Sequence, residues 1–134
     1  MATTYAKGGR KTSTSRVYLS PAKGETSIEV SGIPLEKYFS NQINIATVKR
    51  PLELLKGIEG ETTSYKISAF VKGGGTTGQA ESLRHGIARA FSALGEAPKK
   101  AMKAENLLTR DGRKVECKKP GRRKARKVKQ WTKR

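Results

Sequence analysis

A chain of 134 residues has room for one domain and its tails. Its 29 Lys and Arg against 11 Asp and Glu give a formal charge of +18, which calls for a polyanionic partner, while a single cysteine and a single histidine exclude an internal disulfide and argue against a metal centre. No apolar run approaches the ~18 residues of a membrane span, and no secretory h-region, myristoylation motif or prenylation box is present, so nucleic acid is expected rather than a membrane.

Residues 1–9 read as a flexible basic arm, and residues 10–117 as the domain. Rough alternation of β-branched and aromatic residues predicts a strand over 12–20, ended by the turn Pro21-Ala-Lys-Gly24. Ile28 and Val30 alternate again, so 12–20 and 26–30 are expected to form an antiparallel hairpin, broken by Gly32-Ile-Pro34. Leu35 to Phe39 is a helical turn. Asn41 to Arg50 is either a short strand or an extended connector. Pro51 then takes the first position of a helix carrying Leu52, Leu54 and Leu55, stopped by Gly57 or Gly60. Residues 62–71 form a central strand with Tyr65, Ile67, Ala69 and Val71 on one face.

Gly73-Gly-Gly-Thr-Thr-Gly78 follows, a loop unlike any other stretch of the chain. Gln79 to Leu94 is the strongest helix, because Ala80, Leu83, Ile87, Ala90, Phe91 and Leu94 recur at helical spacing. Arg84, His85 and Arg89 fall on its opposite, exposed side. Gly95 caps this helix, and Pro98 opens a second one over Lys99 to about Asn106, with Ala101, Met102 and Leu107 inward. Arg113 to Cys117 is a possible last strand, with Cys117 a tolerated small residue at its end. The expected fold class is α+β: one small domain, a mostly antiparallel sheet with helices on one face, and a long C-terminal tail.

That tail, Lys118 to Arg134, has ten Lys or Arg among seventeen residues and no acid. Ordering it would cost on the order of 20–30 kcal/mol with no core to offset the loss. It is therefore expected to be disordered when free and to take shape against a polyanion.

Gly73, Gly75 and Gly78 satisfy the GxGxxG spacing, with Glu96 eighteen residues further on. A dinucleotide enzyme would need that acid at the end of a second parallel strand, whereas Pro98 and another helix follow it. The P-loop reading fails because Gln79-Ala80 stand where Lys and Ser or Thr are required. Two uses are left for Gly73, Gly74, Gly75 and Gly78: a tight turn with φ > 0, and a phosphate site at a helix N-terminus, helped by Lys72. Arg84, His85 and Arg89 on the same helix extend an RNA-facing surface. A generic DNA-compacting protein is the other basic-protein reading, separable by preference for structured RNA. With one His, one Cys and no GxSxG, no nucleophile–base pair exists, so neither catalysis nor a cofactor nor a small-molecule substrate is expected.

GGRKTSTSRV (8–17), VKGGGTTGQAESLRHGIARA (71–90), LLTRDGR (107–113) and the ending KKPGRRKARKVKQWTKR together resemble the family of the ninth protein of the bacterial-type small ribosomal subunit. The resemblance covers nearly the whole chain and is weaker over 40–62. It implies a ribosomal-protein fold with a left-handed βαβ element, placed in the subunit head among neighbouring head proteins and bound to small-subunit rRNA. It adds Arg10, Lys11, Gln79, Arg110 and Arg113 to the rRNA-facing residues. It assigns Lys118, Lys119, Arg122, Arg123, Lys124, Arg126 and Lys127 to a path through rRNA. Lys129, Gln130, Lys133 and Arg134 then fall at the tip that approaches P-site tRNA. Where members often carry an aromatic residue after the paired lysines, this chain has Pro120, and Trp131 stands nearer the end. A ribosome in the bacterial cytoplasm is the implied location.

Overall fold

Strand structure begins at the fourth residue in the computed structural model, which describes residues 3–59 and 64–134. The elements among the described residues are β1 (Thr4–Arg10), β2 (Ser13–Ala22), β3 (Ser27–Val30), β4 (Ile33–Pro34), α1 (Leu35–Tyr38), α2 (Gln42–Glu59), β5 (Ser64–Lys72), α3 (Thr76–Ser92) and α4 (Glu96–Ala104). The sheet order is β1-β2-β5-β3-β4. β2 pairs antiparallel with β1 on one side and with β5 on the other, whereas β3 runs parallel to β5 and joins it through β4, α1 and α2. The fold is thus α+β with a mixed sheet.

Two expectations about the first thirty residues are corrected. Residues 4–10 are not a loose arm but the edge strand β1, so the domain begins before residue 10. Gly8 and Gly9 suggest flexibility in the sequence, yet a Cβ at Gly8 would run into the Ser82 carbonyl and lie 2.5 Å from the Gly86 nitrogen. Glycine is there because α3 presses onto the strand. The hairpin between 12–20 and 26–30 does not form either. β5 lies between those strands, pairing with β2 over nine residue pairs from Thr14–Lys72 to Ala22–Ser64. That long ladder outcompetes the four residues of β3, which find their place on the far side of β5.

Alternation along the strands puts Val17, Leu19, Val30, Ile67 and Ala69 on one face, each at most 2% exposed. Ala80, Leu83, Ile87 and Phe91 of α3 close over that face, with α2 and α4 packed beside α3. β5 is the central strand as expected; Thr62 and Thr63 of that expectation lie outside the described residues.

The stretch 41–50 is neither strand nor connector. It is the first half of α2, whose N-terminus is capped by Asn41: the Ile43 amide donates to Asn41 Oδ1 at 2.9 Å. Ile45, Val48, Pro51 and Leu55 are buried along one helical face, while Ile43 is 74% exposed. Pro51 therefore sits inside the helix rather than at its first position, and packing on α3 carries the helix through it. Gly57 lies within α2 rather than ending it, and Gly60 lies outside the described residues.

Ala93, not Gly95, caps α3, and Gly95 precedes α4 in an extended conformation. α4 ends in a Schellman turn. Asn106 takes φ 55°, its amide donates to the Lys103 carbonyl, and the Leu107 amide donates to the Met102 carbonyl. Leu107 is buried by that turn, which sends the chain back across α3. The expected strand over 113–117 is absent. Arg113–Cys117 has one apolar residue, Val115, which is 93% exposed, so it has no face to bury against a sheet edge.

Candidate nucleic-acid interface

The glycine loop separates into two parts. Gly73 and Gly74 have φ 80° and 66°, the left-handed region that favours glycine. A Cβ at Gly74 would collide with Ser13 Oγ, one at Gly73 would stand 2.7 Å from the Thr12 carbonyl oxygen, and one at buried Gly78 would stand 3.1 Å from Ser13 Oγ. Ser13 Oγ donates to the Gly73 carbonyl at 2.9 Å. Gln79 Nε2 donates to the same oxygen at 3.3 Å, while Gln79 Oε1 accepts from the Tyr38 hydroxyl at 3.0 Å. Gly73, Gly74, Gly78 and Gln79 therefore answer to the turn.

Gly75 is different. It has ordinary φ, open space where a Cβ would go, and it precedes a 17-residue helix that has no side-chain cap and no acid in its first turn. The first amides of α3 carry partial positive charge without a protein counterpart to the cap, next to exposed Lys72. The Lys11–Thr12 turn abuts the loop, with Lys11 exposed. Glu96 is the first residue of α4, and no strand follows α3 among the described residues, so the geometry of a dinucleotide fold is absent there.

The polar side of α3 differs from expectation at His85, which is 7% exposed. Its Nδ1 accepts the Gly9 amide at 3.2 Å, so Nε2 carries the proton and donates to the Leu108 carbonyl at 3.0 Å. Burial holds its pKa below the ordinary value, and the nearby Arg89, Arg110 and Arg84 charges lower it further against the opposing effect of the Leu108 carbonyl. His85 is thus an internal tie between β1 and the chain after α4, not a surface group. Arg84 is half-buried and Arg89 exposed; Arg89 Nη1 donates to the Lys7 carbonyl at 2.8 Å.

Arg10 is also internal. Its side chain, 18% exposed, meets Glu81 at 2.6 Å and Asp111 at 3.2 Å, and its Nη1 donates to the Arg113 carbonyl at 3.2 Å. Asp111 accepts from the Arg113 guanidinium and amide, which hold its carboxyl well below the usual carboxylate range, with Arg10 adding to the effect. Leu107, Leu108, Asp111 and Arg113 are in this way pinned to β1 and α3. Sequence reasoning misses Glu81, Asp111 and Ser13 because each works through a partner remote in the chain.

A hollow beside this clamp is lined by Lys7, Arg89 and Arg110 together with Thr14 and His85, and no carboxylate lines it. Beyond Arg113 the chain is exposed throughout except for half-buried Ala125. Gly121, at φ 71°, turns the segment so that the Arg122 amide reaches the Lys119 carbonyl and the Arg123 amide the Lys127 carbonyl. Arg126 pairs with Glu116 at 2.8 Å, but its side chain is 81% exposed, and such a pair exchanges readily for a phosphate. Lys118, Lys119, Lys124, Lys129, Lys133 and Arg134 make no ion pair among the described residues, and Gln130 is exposed beside them. The predicted cations therefore form two groups: those gathered around α3, and those strung along the exposed tail.

Residues 8–134 match the family described as "Ribosomal protein S9/S16". Over 129 residues, 96% of each chain, the sequence is 47% identical to the small ribosomal subunit protein uS9 of Amoebophilus asiaticus (strain 5a2).

Proposed function

The chain belongs to the ribosomal protein S9/S16 family, a structural constituent of the ribosome rather than an enzyme, and from that premise we propose that it fastens small-subunit rRNA at two places and presents its tail to tRNA. The first place is the uncapped start of α3 at Gly75, with Lys72 and Lys11 beside it and Arg84, Arg89, Arg110 and Lys7 further along. The second is the tail, where Lys118 to Lys127 line a path through rRNA and Lys129, Gln130, Lys133 and Arg134 reach P-site tRNA. Neighbouring proteins of the subunit head and a cytoplasmic ribosome complete the setting.

The observation that carries this reading is the contrast across Arg113. Before it the chain is clamped by Arg10, Glu81, Asp111 and His85; after it, eleven cations lie exposed, ten of them in Lys118–Arg134, with almost no internal counter-charge. A rigid root gives a flexible arm a direction, which restricts the volume its tip explores. The test is salt dependence. If each tail cation meets one phosphate, log K for rRNA falls with log[salt] by a slope about 7–9 larger for the full chain than for one lacking Lys118–Arg134. Equal slopes would remove the tail from the interface.

A further inference from the structure

The face of the sheet turned away from the helices meets the first of these contacts only at its border, through Lys7 and Lys72. Strand register gathers three aromatic rings on it. Tyr5 stands opposite Tyr18, and Phe70 lies on β5 opposite Arg16. They are 53%, 37% and 54% exposed, with Tyr5 and Tyr18 centroids 5.2 Å apart and Phe70 edge-on to Tyr18 at 6.3 Å. Cross-strand stacking accounts for Tyr5 and Tyr18 as a pair. For Phe70 it accounts only for the edge-on contact with Tyr18, since its register partner is a cation and the residue stays about half exposed.

The charge on this face is one-sided. By the two-residue period, Lys7, Arg16, Lys66 and Lys72 project to the same side as the rings. Glu29 is 3.8 Å from Lys66 at the β3 side, away from the other cations. Phe70, Arg16, Thr14 and Lys72 line a groove of about 770 Å³ that runs to Gly73 and has no carboxylate in its lining. An apolar protein partner would gain from the rings but would have to desolvate these cations unpaired. A duplex would meet the cations and leave the ring faces unused, because its bases are already stacked. An unpaired nucleotide satisfies both chemistries, with a base for the ring and a phosphate for the cations.

We infer that the open face of the sheet seats unpaired RNA nucleotides, with bases stacked on Phe70 and Tyr18 and phosphate met by Arg16 and Lys72. The inference rests on the RNA-binding reading proposed for this chain and adds a site that adjoins the α3 start, with Lys72 on their shared border, and is separate from the tail. Because β2 and β5 are central strands, the platform is rigid, and a base pays little ordering cost on the protein side to bind it.

The experiment compares the full-length protein with a Tyr18→Leu/Phe70→Leu double variant, which keeps apolar bulk at both exposed positions but removes the π-faces. A ten-residue oligouridylate, the same strand in duplex with oligoadenylate, and small-subunit rRNA are titrated at one salt concentration. Thermal unfolding checks that the variant retains the wild-type fold. The expected result is an oligouridylate affinity weakened about 5- to 100-fold with the duplex affinity unchanged within about twofold. In a second variant, Arg16→Gln, both probes weaken and the oligouridylate salt slope drops by about 0.7. Unchanged oligouridylate affinity in the leucine variant, or equal loss for both probes, overturns the inference. It is overturned equally if Trp131→Leu alone removes the preference for the single strand, or if the leucine variant loses a neighbouring protein from assembled subunits while keeping its RNA affinity. Failure of the wild-type protein to bind rRNA at all would instead overturn the proposed function, so the two failures are distinct.

Discussion

Replacing Gly86 with alanine is predicted to destabilise the domain, although alanine is the better helix former by about 1 kcal/mol. Gly86 lies in α3 where the helix meets β1 and β2. An added Cβ would stand 2.7 Å from Val17 Cγ2, 2.9 Å from Ser15 Oγ and 3.3 Å from the Gly8 nitrogen. Val17 is fully buried, and Ser15 Oγ is held by its 2.7 Å bond to the Ser82 carbonyl, so neither yields cheaply. Overpacking costs about 1–3 kcal/mol, and three crowded neighbours place this site near the upper end. Set against the propensity gain, the net loss is ~2 kcal/mol, or about 8–16 °C in Tm for a domain of this size. Gly57→Ala is the control. It too is a helical glycine, but nothing lies within 4 Å of its added Cβ, so a gain of about 0.5–1 kcal/mol is expected. Thermal and urea unfolding of the full chain followed by circular dichroism measures both. If Gly86→Ala stabilises as Gly57→Ala does, α3 is not seated on the strands as described, and the placement of Gly75, Glu81 and His85 fails with it.

The root of the tail gives two further predictions. A double-mutant cycle with Arg10→Met and Glu81→Gln should return a coupling of about 1.5–3 kcal/mol, as expected for a charge-assisted bond between side chains 18% and 28% exposed; a coupling near zero would mean that the clamp is not formed. His85 should make the domain pH-sensitive. Its pKa is lowered in the fold, so the stability it contributes is present above the ordinary value of 6.5 and is lost as pH falls below it. Tm should therefore drop between about pH 6.5 and 5, and His85→Gln should flatten that part of the profile. The Asp111 carboxyl, held far below its usual range, contributes its own loss only at lower pH.

Part of the fold is legible in the residues. Tyr65, Ile67 and Ala69 alternate because one face of β5 is buried, and Ala80 to Phe91 recur at helical spacing because one side of α3 covers that face. α2 is easily mistaken, because Ile43 and Ile45 mimic strand alternation and Pro51 looks like a helix start. The better signals are Asn41 as a cap and Ile45, Val48, Leu52 and Leu55 at helical spacing, with the exposed Ile43 and Ile58 off the pattern. His85 looks exposed in the sequence because nothing local covers it. Its cover is the return of the chain through Leu107 and Leu108, a consequence of the Schellman turn at Asn106. Strand order is not readable from the residues, so the parallel β3–β5 pair and the gathering of Tyr5, Tyr18 and Phe70 on one face emerge only from the register. The run of cations in the tail is legible from the residues, while the place where the chain before it is gripped, at Arg10, Glu81 and Asp111, requires contacts between segments seventy or more residues apart.

The central claim, a tail rooted in the domain that passes through rRNA and touches tRNA at its tip, is tested most directly by site-specific crosslinking. The single cysteine, exposed Cys117, can be replaced by serine and a thiol-directed photocrosslinker carried by Lys124→Cys in one protein and Thr132→Cys in another. Each protein is assembled into small subunits with tRNA in the P site. The account predicts crosslinks to rRNA from position 124 and to tRNA from position 132. Crosslinks from position 132 to rRNA alone, with the P site occupied, would contradict it.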